Sequence, residues 1–183
     1  MFSGGHMTYG LSTITYESVV SRDNVLISLT INALNGLQVK VADIINTYVT
    51  APFQEEMWTV LGPDFGEDKV NNDLIVHALY GLKISGDPFR NYLANFMKNI
   101  GPFPYLADPD LWMKPKVRTD ERTFYYAYIL CYVDYTLSIN PDSEDVLKRL
   151  DNYFKLKPGI LVEPHIYLGD KIRKMRMNNG VWE

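Results

Sequence analysis

The stretch Thr123-Phe124-Tyr125-Tyr126-Ala127-Tyr128-Ile129-Leu130-Cys131-Tyr132-Val133-Asp134-Tyr135-Thr136-Leu137-Ser138-Ile139 decides the fold. From Thr123 to Val133 it is dense in aromatic and β-branched side chains, which suit a pleated, half-buried surface, and it reads as a long buried strand. Asp134 marks a turn, and Tyr135 to Ile139 reads as a shorter strand, so the two form a hairpin with a carboxylate at its tip. Such a hairpin needs further strands and a layer of helices to bury it.

Both flanks supply them. Ser21 is an N-cap for a helix over Arg22 to Leu34, with Val25, Leu26, Leu29 and Ala33 at helical spacing and Gly36 at its end. Ile27, Ile31 and Leu34 add apolar side chains on another face, so a well-buried helix is expected. Leu37 to Ile45 alternates as a strand. Met57 to Leu61 and Leu74 to Leu79 read as two more, with a polar, turn-rich Gly62 to Asn72 between them. Asp87 caps a second helix, with Pro88 at its first position, an apolar stripe through Phe89, Tyr92, Leu93, Phe96, Met97 and Ile100, and Gly101 as its stop. A Pro-rich connection leads to the hairpin. Asn140-Pro141 opens a third helix, with Val146, Leu147, Leu150, Tyr153 and Phe154 inward, and Ile166 to Met177 reads as a final strand or hairpin. The order predicts an α+β fold: a mostly antiparallel sheet with helices packed on one face.

Composition bounds the rest. The chain has 183 residues, 46% of them apolar, enough for one domain or one domain with a small lobe. One cysteine excludes an intramolecular disulfide framework, and with three histidines it disfavours structural zinc. No apolar run approaches the roughly 20 residues that span a bilayer, and Met1 to Gly10 lacks the pattern of a secretory signal. A reducing, aqueous, intracellular setting with no membrane contact is therefore expected. Nothing in the net charge of −4 predicts a tight autonomous nucleic-acid binder. Lys114, Lys116, Arg118 and Arg122, and again Lys171, Arg173, Lys174 and Arg176, read as solvated surface clusters.

Two carboxylates stand out. Asp43 lies near the end of an apolar strand and Asp134 at the hairpin tip. A carboxylate beside a buried strand is costly unless it is paired, hydrogen-bonded or bound to metal. If the strands are neighbours, both side chains can reach one divalent ion, and magnesium commonly takes one or two carboxylates plus substrate phosphate. The plainer reading makes Asp134 a turn residue and Asp43 the end of a strand. Asp108 and Asp110 read as a turn before a strand, Asp64-Phe65-Gly66 as a turn, and Trp58 and Trp112 as core or half-buried side chains. The aromatic run Phe124 to Tyr132 reads as sheet core rather than as a base-stacking platform.

Several segments, in order, resemble copia-type retrotransposon reverse transcriptases: Tyr16-Glu17-Ser18-Val19-Val20-Ser21-Arg22-Asp23, Asp43-Ile44-Ile45-Asn46-Thr47-Tyr48, Leu79-Tyr80-Gly81-Leu82-Lys83, Ala107-Asp108-Pro109-Asp110-Leu111-Trp112-Met113, Cys131-Tyr132-Val133-Asp134 and Tyr167-Leu168-Gly169. The resemblance implies a right-hand polymerase fingers–palm fragment. Residues 1–20 would lead into the fingers, and 21–183 would form the fingers–palm domain without thumb or RNase H. It implies templated addition of deoxynucleotides to a primer on RNA or DNA, with two Mg2+ ions held by Asp43 and Asp134 as catalytic residues. Tyr48 would sit under the sugar of the incoming nucleotide, the segment containing Lys83 and Gly86 would line the nucleotide and template side, and Arg22 would face phosphate.

The chain also departs from that family. Tyr135 stands where the hairpin carries a second aspartate, so less negative charge is available to offset the repulsion between two metal ions. Leu26 and His77 replace basic residues, and Thr47 replaces alanine. The expectation is an impaired polymerase fragment. The alternatives are a noncatalytic relic or an adopted nucleic-acid- or protein-binding module. Apolar surface left by a missing thumb would favour self-association.

Overall fold

Local chemistry starts the first helix. In the computed structural model, which describes residues 19–53, 56–82, 84–117, 124–141, 143–158, 163–173 and 175, α1 runs Arg22–Asn35. The Ser21 hydroxyl accepts from the Asn24 amide at 3.3 Å, and Gly36 ends the helix at φ 60°, a left-handed conformation that glycine adopts without a side-chain clash. Strand β1 (Gln38–Asp43) follows directly. Next come the short strands β2 (Trp58–Val60) and β3 (Asn72–Leu74), paired with Trp58 opposite Leu74. Helix α2 (Gly86–Ile100) begins one residue before the expected cap, and Gly101 at φ 102° stops it. Strands β4 (Phe103–Tyr105), β5 (Asp108–Val117), β6 (Phe124–Tyr132) and β7 (Tyr135–Asn140), helix α3 (Ser143–Phe154) and the small hairpin β8 (Ile166–Tyr167) and β9 (Asp170–Lys171) complete the described chain.

Two compact units result. One contains Asn46–Asn95; the other contains the described residues up to Ile45 and those from Phe96 onward. The second unit holds a five-stranded antiparallel sheet in the order β1-β7-β6-β5-β4. Strand β1 therefore docks beside the hairpin's second strand, with Val41 opposite Leu137 and Asp43 opposite Tyr135.

The central strand β7 is buried from Thr136 to Asn140, on both of its faces. One face carries Leu137 and Ile139, packed with Val41, Leu130 and Leu111 under Val25 of α1 and Tyr167. The other carries Thr136, Ser138 and Asn140, all buried, with the Asn140 amide donating to Ser138 at 3.0 Å. Lys40 projects on that second face, where it pairs with Glu144 of α3. Side-chain alternation thus puts α1 and α3 on opposite faces. The sequence expectation of an α+β fold with a mostly antiparallel sheet holds; the expectation of helices on one face does not. Thr136, Ser138 and Asn140 look like a solvent face in sequence, but they are small and compact enough to lie beneath a helix once α3 covers them.

Other expectations shift in the same way. Helix α1 is amphipathic rather than well buried: Leu26, Ile27 and Leu34 are more than half exposed, and the buried members are Val25, Ser28 and Asn32. The strand expected over Leu74 to Leu79 is displaced to Asn72–Leu74, because pairing with β2 selects the register. The Pro-rich connection holds two strands: Phe103 faces Met113, and Pro104, at the sheet edge, needs no ladder donor. Asp108 and Asp110 lie inside β5 and are buried. The outer end of β6 is exposed, with Phe124 at 80%, so that strand is buried only along its inner part. Trp112 is core as expected, but Trp58 is exposed. Among the described residues no helix is long and apolar enough to cross a membrane.

Candidate functional site

The site forms where β1 and the β6–β7 hairpin end together. Val133 and Asp134 make a two-residue loop between the strands, and Val133 takes φ 51°. That sign of φ is costly for a β-branched side chain, and tight hairpins usually give the position to glycine. The Ile44 amide donates to the Asp134 carbonyl at 3.0 Å, which ties the loop to the end of β1. The sequence reading asked whether the strands bearing Asp43 and Asp134 are neighbours, and they are.

A third side chain joins them that the sequence reading did not single out. Helix α3 ends at Phe154, and Lys155 reverses the chain at φ 65°. Asp151 fixes this reversal: its carbonyl accepts from the Lys155 amide at 3.1 Å, and its carboxylate accepts from the Leu156 amide at 2.8 Å. The chain then runs antiparallel along the open edge of β1. The Ile45 amide donates to the Lys155 carbonyl at 3.0 Å, and the Lys157 amide donates to the Asp43 carbonyl at 2.9 Å. This pairing delivers the Lys157 ammonium to Asp43 Oδ2 at 2.6 Å. Position 157 has no special pattern in sequence; only the Asp151 cap and the edge pairing reveal it.

Electrostatics bind the group together. Asp43 is 2% exposed, and its Oδ1 is buried without a hydrogen-bond partner. Burial, reinforced by the Asp43 charge, pushes the Asp134 carboxyl up against the opposing pull of its own amide and of Lys157. The Asp43 charge, then burial, raises the Tyr135 phenol. The hydrogen bond to Asp43 raises Lys157 and keeps it cationic. Two carboxylates that feel each other, one with an unused oxygen, are the side chains here that could hold a divalent cation. Among the described residues no group of three His, Cys, Asp or Glu side chains is placed to hold a metal.

The other expected site residues fall elsewhere. Arg22 pairs with Asp170 at 2.9 Å, both largely exposed, on the rim of a groove beside α1. Tyr48 belongs to the other unit, at the start of a single 3-10 turn, with its ring edge-on to Tyr80 at 4.9 Å and to Phe89 at 6.3 Å. Gly86 is the first residue of α2 and is buried. Lys83 lies outside the described residues, as do Arg118 and Arg122. Asp108 has a structural role: its Oδ2 accepts from the Ser21 amide at 2.9 Å and from the Asn24 side chain at 2.6 Å, and its Oδ1 accepts from the Asp110 amide at 3.2 Å. It fastens the start of α1 to the start of β5.

No protein-family model, curated protein or solved structure matches the chain.

Proposed function

We propose that this chain is a reverse-transcriptase-like domain fragment whose nucleotidyl-transfer site is impaired. What supports the reading is that Asp43 ends a strand paired with β7, directly after the loop that carries Asp134, that the charge of Asp43 acts on Asp134, and that Asp43 keeps an unused buried oxygen. In this reading the two carboxylates hold a divalent ion together with the phosphates of a deoxynucleotide, and the ion supplies charge neutralisation at the transferring phosphoryl group. The resemblance stated above assigns template–primer RNA or DNA as the partner, with Tyr48 at the sugar and Lys83, Gly86 and Arg22 toward phosphate and template.

The impairment has two sources. Tyr135, opposite Asp43, brings a neutral phenol where a third carboxylate would help to hold a second ion. Lys157, bonded to Asp43 Oδ2 at 2.6 Å, already neutralises that carboxylate, so a cation at the other oxygen gains less attraction and meets the repulsion of the ammonium. That ion pair also favours a second reading, in which the scaffold persists as a noncatalytic relic or as a nucleic-acid- or protein-binding module.

Primer extension with Mg2+ or Mn2+ separates the two. The first reading expects weak incorporation, increased by Tyr135→Asp and abolished by Asp43→Ala. Absence of incorporation in both the natural chain and Tyr135→Asp, with binding of a partner that survives Asp43→Ala and Asp134→Ala, establishes the second.

A further inference from the structure

Strand β1 is the outermost strand at one side of the five-stranded sheet, and residues 155–157 lie along its edge away from β7. Their hold on that edge is slight. It consists of one isolated bridge, Ile44 with Leu156, and two backbone hydrogen bonds, from the Ile45 amide to the Lys155 carbonyl at 3.0 Å and from the Lys157 amide to the Asp43 carbonyl at 2.9 Å. Each such bond adds little net stability, because water answers both groups when they part. Lys155, at the head of the segment, sits at φ 65° without the freedom of glycine, and backbone held there is strained. The Asp151 carboxylate counters that strain by accepting from the Leu156 amide at 2.8 Å.

What the segment delivers is a charge. Its register sets Lys157 opposite Asp43, and β7 sets Tyr135 opposite Asp43 from the other side, so the three side chains share one face of the sheet. The Lys157 ammonium, on a half-exposed side chain, reaches Oδ2 of a carboxylate that is 2% exposed and whose Oδ1 has no partner. A buried carboxylate left without a cation is costly. The ammonium therefore contributes more to keeping the segment in place than its backbone does, and another cation at Asp43 removes the need for it.

We propose that residues 155–157 are a displaceable strap: the Lys157 ammonium stands in for a divalent ion, and the ion enters as the strap leaves the β1 edge. This rests on the reading that Asp43 and Asp134 hold such an ion. It makes the neutralisation of Asp43 exchangeable rather than permanent. It also makes Asp151, an exposed residue of α3, a positioning residue, because its bond to Leu156 sets how much of the time the strap is closed.

Titration of the full chain with Mn2+ alone, with free Mn2+ read by electron paramagnetic resonance, tests this. Lys157→Gln binds Mn2+ about tenfold more tightly than the natural chain, while Lys155→Gln, which loses the same charge from the same segment, matches the natural chain within about twofold. Asp151→Ala, with Lys157 intact, binds about threefold more tightly, because the open strap is more populated. Losing an acidic side chain by itself weakens cation binding, so this change has the sign that strap release gives. Asp151→Asn loses the same charge but keeps an acceptor for the Leu156 amide, and it binds no more tightly than the natural chain. In the natural chain saturating Mg2+ speeds hydrogen exchange at the Ile45 and Lys157 amides. All three positions are exposed, and circular dichroism of the variants matches the natural chain. Tightening in Lys157→Gln that persists when Asp43→Asn is added puts the ion elsewhere and overturns the metal reading and the strap together. Tightening that needs Asp43, with Asp151→Ala no tighter than Asp151→Asn and amide exchange unmoved by Mg2+, leaves the metal reading standing and overturns the strap. A Lys157→Gln chain that binds no more tightly than the natural one overturns the strap as well.

Discussion

Replacing Asp108 by alanine tests whether a buried carboxylate holds α1 to the sheet. Asp108 is 6% exposed and accepts three hydrogen bonds, from Ser21, Asn24 and Asp110. A hydrogen bond to a charged group contributes about 1.5–3 kcal/mol net, and a buried donor left unpaired costs about 1–3 kcal/mol. Ser21 is exposed and Asn24 half-buried, so water replaces part of what is lost. The expected destabilisation for Asp108→Ala is therefore about 2–3 kcal/mol, or roughly 5–10 °C in Tm for a chain of this size. Asp108→Asn keeps the shape and one acceptor and loses about half as much. The sign of the pH dependence follows from the carboxyl's environment. Burial alone would raise it, but the bonds from Ser21, Asn24 and Asp110 outweigh burial and hold it below its ordinary value. The unfolded chain thus takes up the proton first as pH falls. The stabilisation is complete above the unfolded value, about 3.9, and is lost as pH drops through the folded value. Thermal unfolding of the natural chain and of Asp108→Asn at a series of pH values reads this directly. The gap between them is constant above about pH 5 and closes in acid. Equal Tm values for the natural chain and Asp108→Ala at pH 7, or a gap to Asp108→Asn that persists undiminished at low pH, refutes the anchoring role.

Three further outcomes are expected. Lys157→Met removes the cation beside buried Asp43 and costs about 1–3 kcal/mol, less than for a fully buried pair because the ammonium is half exposed; the same variant gains a larger Tm rise on adding Mg2+ than the natural chain, since no ammonium competes for the carboxylate. Lys40 and Lys148 hold Glu144 down to about 2, so its stabilisation is present above the unfolded value of about 4.5 and fades as pH falls toward 2; Glu144→Gln flattens that part of the stability profile, read by urea titration at pH 6 and pH 3. Tyr167→Phe deletes a buried hydroxyl that has no partner, so it leaves stability unchanged or raises it by about 1 kcal/mol; burial, with the charges of Cys131 and Tyr132, raises that phenol, so the natural chain alone loses the tyrosine's share of stability as pH climbs past about 10.

The hairpin, the helices and the class of the sheet were legible because each rests on local chemistry. Ser21 and Gly36 mark both ends of α1, and the apolar stripe of α2 has one period throughout. The second cover on β7 was not legible: Thr136, Ser138 and Asn140 are polar, and only contact with α3 makes their face interior. Asp108 misled for a similar reason, since a carboxylate beside proline suits a turn as well as a buried anchor. Asp43 and Asp134 could be singled out from their position on apolar strands. Lys157 could not, because its place depends on a chain reversal at Lys155 and on pairing across more than a hundred residues of sequence.

The register that seats Val41 opposite Leu137 also governs how the molecule is made. These partners are 96 residues apart, so β1 leaves the ribosome long before the strand it needs. At about 5–20 residues per second the wait is on the order of 5–20 s. During that interval an apolar strand has its ladder groups unanswered, and closing so long a loop is slow in its own right. Nascent chains of this protein are therefore most vulnerable to misassociation before Asn140 has emerged, and a chaperone bound to β1 would matter most in that window.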